Sequence, residues 1–280
     1  MFGSTILDLA TGLIFTFLVI SLIASAVTEG VASALSWRAK TLLQGVKDLL
    51  NDQQFTGLAL DIYNHDLVNP RSNGLATSAG KLTAKPSYIE PTQFAAALID
   101  VVGLVPGGNV AALQQQIGAK IKDQQLKTML TGFVDRTAGD IDRVRDDVAS
   151  WFDNSMDRVA GAYKRKTQLY SFFIALAVAI ALNVDTITIA TALWRQPMLV
   201  KQLPTLSDGM KPTDGYDDLR KSGLPFGWGT AETDIGSSPN WRWPYALLGW
   251  LITAAATLFG APFWFDTLQR FVQLRGTGSK

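Results

Sequence analysis

The chain has 280 residues, a formal net charge of +1 and 48% apolar residue types. A balance this close to neutral argues against nucleic acid as the main partner, because phosphate binding needs a concentrated basic surface. With no cysteine and one histidine, His65, the chain also excludes disulfides, thiolate metal sites, cysteine nucleophiles and histidine metal clusters, and no metal or cofactor is expected.

The apolar residues fall into three long runs separated by polar stretches. The first run, residues 9–28, is 20 residues without a charge, bracketed by Asp8 and Glu29. About 20 apolar residues in helix cross the hydrocarbon of a bilayer, so residues 1–36 are expected to hold a transmembrane helix. Ala24-Ser25-Ala26 has the form of a signal-peptide cleavage site, but the preceding segment carries no Lys or Arg, and small and apolar residues continue to Leu35. The run is therefore taken as a retained span.

Residues 37–168 read as a helical domain. Leu42, Leu43, Val46, Leu49 and Leu50 recur at helical intervals, and 57–65 is a second short apolar-periodic piece. Residues 69–91, with Pro70, Gly74, Gly80, Pro86 and Pro91, read as a loop long enough to be mobile or functional. Within it, Gly80-Lys81 is a near miss for a phosphate-binding loop. Leu82 stands where Ser or Thr is needed, and no strand precedes it. A serine triad would need His65 as its base, and the chain has no nucleophile elbow. Residues 93–102 form a compact apolar helix with Thr92 as its cap. Residues 110–134 read as one helix, with Leu113, Ile117, Ile121, Leu126, Leu130 and Val134 near one side. From residue 140, a stripe of Ile141, Val144, Val148, Phe152, Met156, Val159 and Tyr163 begins the longest helix.

The second apolar run follows Lys164, Arg165 and Lys166 and spans residues 169–194, with Asp185 inside it. Neither Pro nor paired Gly separates it from the stripe before it. The expectation is one helix from about 140 to about 194, a stalk about 80 Å long that is continuous with the second span. Residues 195–243 are a Pro- and Gly-rich extracytoplasmic loop, anchored by the apolar motif Leu224-Pro225-Phe226-Gly227-Trp228. The third run, 244–265, is 22 residues without a charge. Residues 266–280 then form a cytoplasmic amphipathic tail carrying Leu268, Phe271, Val272 and Leu274. The expected fold is an all-α membrane protein with three transmembrane helices and a cytoplasmic helical domain between spans 1 and 2.

Lys and Arg set the orientation. Arg38 and Lys40 follow span 1, Lys164 to Lys166 precede span 2, and Arg270, Arg275 and Lys280 follow span 3, while the stretch before span 1 has none. All three groups are cytoplasmic if the N-terminus is outside and the C-terminus inside. Trp194, Trp241, Trp243 and Trp250 then mark the outer interface, and Trp37, Phe263, Trp264 and Phe265 the inner one.

Asp185 is the sharpest candidate residue, since a carboxylate within a span is costly and often marks an ion or proton path. Asn183 lies beside it, and Asp8, Thr11, Thr253 and Thr257 are candidate partners. The competing reading, which is favoured, is an interhelical hydrogen bond or a hydrated interfacial carboxylate. Glu29, Arg38, Asp266 and Arg270 form a candidate charge cluster at the inner interface, against which ordinary snorkelling and capping are weighed. Trp151-Phe152-Asp153 and Trp264-Phe265-Asp266 repeat one tripeptide. Their rings are candidates for docking a partner, with local packing as the equal alternative. Small residues four apart, such as Ala177/Ala181 and Ala256/Gly260, permit close helix approach in lipid.

The strings WRAKTL (37–42), WFDNSMDR (151–158), YKRKTQ (163–168), ALNVDT (181–186), ALWRQP (192–197) and GAPFWFD (260–266) leading to QLRG resemble a family of uncharacterised bacterial inner-membrane proteins with one N-terminal and two C-terminal spans. The resemblance implies a bacterial inner-membrane location and brings no catalytic residue or substrate. The reading from sequence is a non-enzymatic membrane anchor or scaffold. Its partners are membrane lipid and either further copies of itself or another protein of a membrane complex. The alternative is a channel or transporter subunit that uses Asp185.

Overall fold

The computed structural model of the chain describes residues 2–196, 199, 214, 217, 218, 221, 223–228 and 242–277. Trp241, expected at the outer interface, and most of the 195–243 loop lie outside those residues, as do the side chains of Val272 and Leu274. Among the described residues the chain is all helical, with no strand. It divides into a central unit, Ala32–Arg165, and a terminal unit, Met1–Val31 with Lys166–Lys280.

The central unit is built from α2 (Trp37–Leu49), α3 (Leu58–Tyr63), α4 (Pro91–Val102), α5 (Val110–Lys120), α6 (Gln124–Arg136) and the first part of α7 (Ile141–Ala181). Each presents an apolar stripe, and the stripes meet in one core that holds Ile62, Phe94, Leu98, Leu113, Ile117, Leu130 and Phe152. The rings of Phe94 and Phe152 stack 4.0 Å apart. Two local expectations are corrected here. Glu90, not Thr92, caps α4: its carboxylate accepts the Gln93 N–H at 2.9 Å. Pro91 takes the first helical position, where its missing N–H has no partner to lose. The Thr92 hydroxyl and then the Gln93 N–H hold the Glu90 carboxyl below its usual range.

The expected single helix over 110–134 is two helices. Asp123 breaks it by capping α6, accepting the Leu126 N–H at 2.8 Å. The chain folds back at this point, so that Gln114 reaches Asp135 at 2.6 Å and both helices share the core. The Leu126 N–H, with the Asn51 amide behind it, lowers the Asp123 pKa. The long 64–90 connection is tied down rather than loose. Asn64 exchanges two hydrogen bonds with Ala76, the Asn69 side chain donates to the Ala84 carbonyl, and Val68, Leu82 and Ile89 are buried. His65 is a turn residue here, with Nδ1 accepting the Leu67 N–H and Nε2 lying 3.5 Å from Asp100.

The terminal unit contains α1 (Phe2–Ala34), the end of α7, α8 (Thr186–Arg195), α9 (Arg242–Thr257) and α10 (Ala261–Thr277). Over Ile6–Ala34, α1 is long and apolar enough to cross a membrane by itself. α1 packs closely on its neighbours. A Cβ at Gly12 would meet Leu193 at 2.7 Å, and Phe17 lies 4.8 Å from Trp264. The other two apolar runs do not form straight helices. The predicted continuous helix from 140 to 194 stops at Ala181 and resumes at Thr186 with a bend of 52°. The predicted helix over 244–265 stops at Thr257 and resumes at Ala261 with a bend of 93°. The local causes are polar caps and left-handed residues: Asn183 has φ 47° and Gly260 has φ 82°.

Phe152 tests the central core. Phe152→Ala should cost about 3–5 kcal/mol, read from the denaturant midpoint. Trp151→Ala, on a half-buried ring beside it, should cost much less. A Phe152→Ala loss below about 1 kcal/mol would contradict the packing described.

Candidate functional site

A helix that stops leaves its last carbonyls without intrahelical partners. Among apolar neighbours each must find a donor, because an unsatisfied group there costs several kcal/mol. The break after α7 meets this demand with side chains from three segments. Asn183 adopts the left-handed conformation, so that its N–H returns to the Ile180 carbonyl (3.0 Å) and the Val184 N–H to the Ala179 carbonyl (2.8 Å). That pair is a Schellman end, a conformation in which Asn is among the few tolerated side chains. The Trp228 indole N–H sits 3.1 and 3.2 Å from the Ile180 and Ala181 carbonyls, and the Gly227 N–H donates to Leu182 at 2.9 Å. The motif at 224–228 thus anchors itself by capping α7.

Asn183 is itself locked. Its amide donates to the Gly227 carbonyl at 3.0 Å, and its oxygen accepts the Trp250 indole N–H at 3.2 Å. From α9, the Thr253 hydroxyl reaches the Val184 carbonyl at 2.8 Å and the Thr186 hydroxyl at 2.7 Å.

Asp185 starts the next helix. One carboxylate oxygen accepts the Ile187 N–H at 2.9 Å and the Thr188 N–H at 3.4 Å, and the other accepts the Thr188 hydroxyl at 2.7 Å. A carboxylate at the N-terminus also faces the positive end of the helix dipole. Asp185 is only 8% exposed, and the facing residue on α9 is Gly249. A Cβ at Gly249 would lie 1.6 Å from the Asp185 oxygen and 2.5 Å from its carboxyl carbon, so no side chain fits there. The structure therefore joins Asp185 and Asn183 in one site. Of the residues expected to meet the carboxylate, the Thr11 hydroxyl bonds the Leu7 carbonyl and that of Thr257 the Ala254 carbonyl. Thr253 reaches the break but serves its backbone.

The α9–α10 corner solves the same problem. The Thr257 hydroxyl reaches the Ala254 carbonyl, while the N–H groups of Leu258, Phe259 and Gly260 return to Ala255, Ala256 and Thr257. The Trp264 indole N–H adds a bond to Ala256 at 2.8 Å. Trp264 is therefore a corner brace, further held by Phe17 and Phe263, and Phe265 packs on the same core. Phe152, expected as a docking ring, is 1% exposed and stacked on Phe94. A partner cannot reach it without opening the core, and Trp151 packs partly against that core. Glu29, Asp266 and Arg270 are exposed, and among the described residues no ion pair joins these three; Arg38 is an exposed residue of the central unit.

Sequence reasoning missed the capping roles of Trp228 and Trp264, the bond from Trp250 to Asn183 and the close approach at Gly249. A signal was present in two places. Asn183 and Asp185 stand in the order helix stop, helix start, and Gly249, Thr253 and Thr257 recur every fourth residue along one face of α9. No family model, curated protein or solved structure matches the chain.

The contact at Gly249 makes a direct prediction. Gly249→Ala should lower the thermal midpoint sharply, because the new methyl displaces the Asp185 cap. Asp185→Ala alone should cost about 1 kcal/mol, the usual value of an N-cap. In the double variant the loss should be well below the sum, and strict additivity would contradict the contact.

Proposed function

We propose that the protein is a non-enzymatic anchor or scaffold, and that it sits in the bacterial inner membrane, the location implied by the resemblance at 37–42, 151–158, 163–168, 181–186, 192–197 and 260–266. It has three membrane-embedded segments, an outer N-terminus and a cytoplasmic C-terminus. The central helical unit is its partner-binding part, within an oligomer or a larger membrane complex.

Membrane embedding beyond α1 is supported by the pattern on α9, which is inverted relative to a helix in water. Ala246, Gly249, Thr253, Ala254, Ala256 and Thr257 face inward together with the one large side chain Trp250, while Tyr245, Leu247, Leu248 and Ile252 are exposed. A face of mainly small and hydroxyl residues inside and large aliphatic ones outside suits a helix whose solvent is lipid. The central unit has the opposite pattern, with its largest apolar side chains buried. The basic groups at 37–40, 164–166 and 270–275 support the orientation.

One observation favours the anchor over the transporter. Both Asp185 oxygens are engaged by the first turn of α8, and Gly249 closes over them. A carboxylate that carries ions needs an open side, and this one serves as a helix cap.

Vesicles reconstituted with wild-type and Asp185→Asn protein test the choice. Asn retains the cap, so both should fold and should show the same cation and proton flux as empty vesicles. Wild-type flux that disappears in the variant would establish the transport reading instead. The native particle extracted with its lipids should have the mass of an oligomer or of a stoichiometric complex, and a lone monomer would contradict the scaffold.

A further inference from the structure

The outward surface of the terminal unit changes character at the 93° corner between α9 and α10. Along α9 and into the turn that follows it, Tyr245, Leu248, Ile252, Ala255 and Phe259 repeat at steps of three and four, and all five are exposed. Phe263 extends this stripe around the corner, stacked on Phe259 with ring centres 5.0 Å apart. The outward positions of α10 beyond it are Asp266, Gln269, Arg270 and Gln273, all polar and exposed. The inward face of α10, with Ala261, Trp264, Phe265, Leu268 and Phe271, is covered by the unit's own core. The lipid-facing stripe thus ends, and a polar stripe begins, at the point where the helix turns through a right angle.

We propose that α10 is an interfacial helix that lies along the headgroup and glycerol layer of the phospholipid bilayer, with Phe259 and Phe263 as the knuckle that seats it. The inference rests on the membrane reading of α9 given above and goes further. It ends the third crossing at Thr257 instead of at residue 265 and makes the whole of α10 a membrane-surface element, neither half of a span nor a tail in water. Continuity identifies the occupant of this surface, because the exposed aromatic knuckle prolongs the stripe that α9 turns toward acyl chains. Aromatic side chains prefer that boundary, and the polar face beyond them matches a hydrated headgroup layer. The right angle is built into the chain. Gly260 supplies the left-handed residue, and Trp264 braces the corner through the Ala256 carbonyl. Sixteen residues of α9 rise about 24 Å, against about 30 Å of hydrocarbon. Such a short crossing is met by local thinning around it, with Trp243 and Tyr245 exposed at the other end.

The absence of cysteine permits a clean test. Single cysteines at Ile252, Asp266 and Gln273, all exposed positions, are labelled with a fluorophore in vesicles. Depth is then read by quenching from lipids that carry a nitroxide at a headgroup, shallow or mid-chain position. The proposal predicts that Ile252 is quenched best from mid-chain, and that Asp266 and Gln273 are both quenched best from the headgroup or shallow position, at equal depth. Seven residues along a helix standing upright would separate the last two by about 10 Å, and a depth difference of that size would overturn the proposal. So would a deep Ile252 with no quenching at Asp266 and Gln273, which would place α10 in water. If Ile252 itself escapes quenching, the span has failed and the proposal with it, and that result is told apart from the others by Ile252 alone.

Discussion

The terminal unit depends on one constraint: a backbone carbonyl that loses its helical partner among apolar side chains must be given another donor. Both of its helix breaks are organised to meet that demand. After Ala181, the donors come from the indole of Trp228, the amide of Gly227 and the hydroxyl of Thr253, which belong to the 224–228 motif and to α9. After Thr257, they come from the corner's own N–H groups and from Trp264. At the α7 break each cap is also a tether between segments far apart in sequence, so satisfying the backbone and assembling the unit are one process there. Removing a single cap at that break therefore loosens a helix end and a contact between segments together.

The central core and the inward face of α9 bury different kinds of side chain. In the central unit the hydrophobic effect drives large side chains inward, and Phe94 and Phe152 stack in its core. At the α7–α8 break Ala179 packs with Ala246 and Trp250 of α9, and polar groups add to the contact. Small residues permit approach there, hydroxyl and indole groups bridge, and Gly249 lets the Asp185 carboxylate lie against the α9 backbone. A charged side chain at such a place is normally read as chemistry. In this structure the carboxylate caps α8, and a carboxylate is among the best acceptors for the open N–H groups of a helix start.

What was legible in the sequence follows from the same physics. Amphipathic periodicity located the helices of the central unit, and the uninterrupted apolar run located α1. The breaks were not legible by periodicity. Residues 110–134 keep their apolar spacing straight through Asp123, and 169–194 stay apolar on both sides of Asn183 and Asp185. With no proline and no glycine pair to mark a stop, the periodic reading ran the helices together. Asn183 and Asp185, which mark the second of these breaks, were read first as candidate function. Phe152 allowed two readings: its place in a repeated aromatic tripeptide suggested a docking surface, while its register on the α7 stripe suggested packing, and the structure buries it. The capping tryptophans could not be found in advance, because an indole serves a carbonyl only after the chain has brought them together.

The central claim is that the break between α7 and α8 is closed and dry, with its backbone groups satisfied by the protein. Hydrogen–deuterium exchange of the full chain in nanodiscs measures this directly. The account predicts that the amides of residues 182–189 exchange about as slowly as those in the adjoining turns of α7 and α8. Exchange at the break that is orders of magnitude faster than in those turns would mean that water reaches it, and would contradict the account.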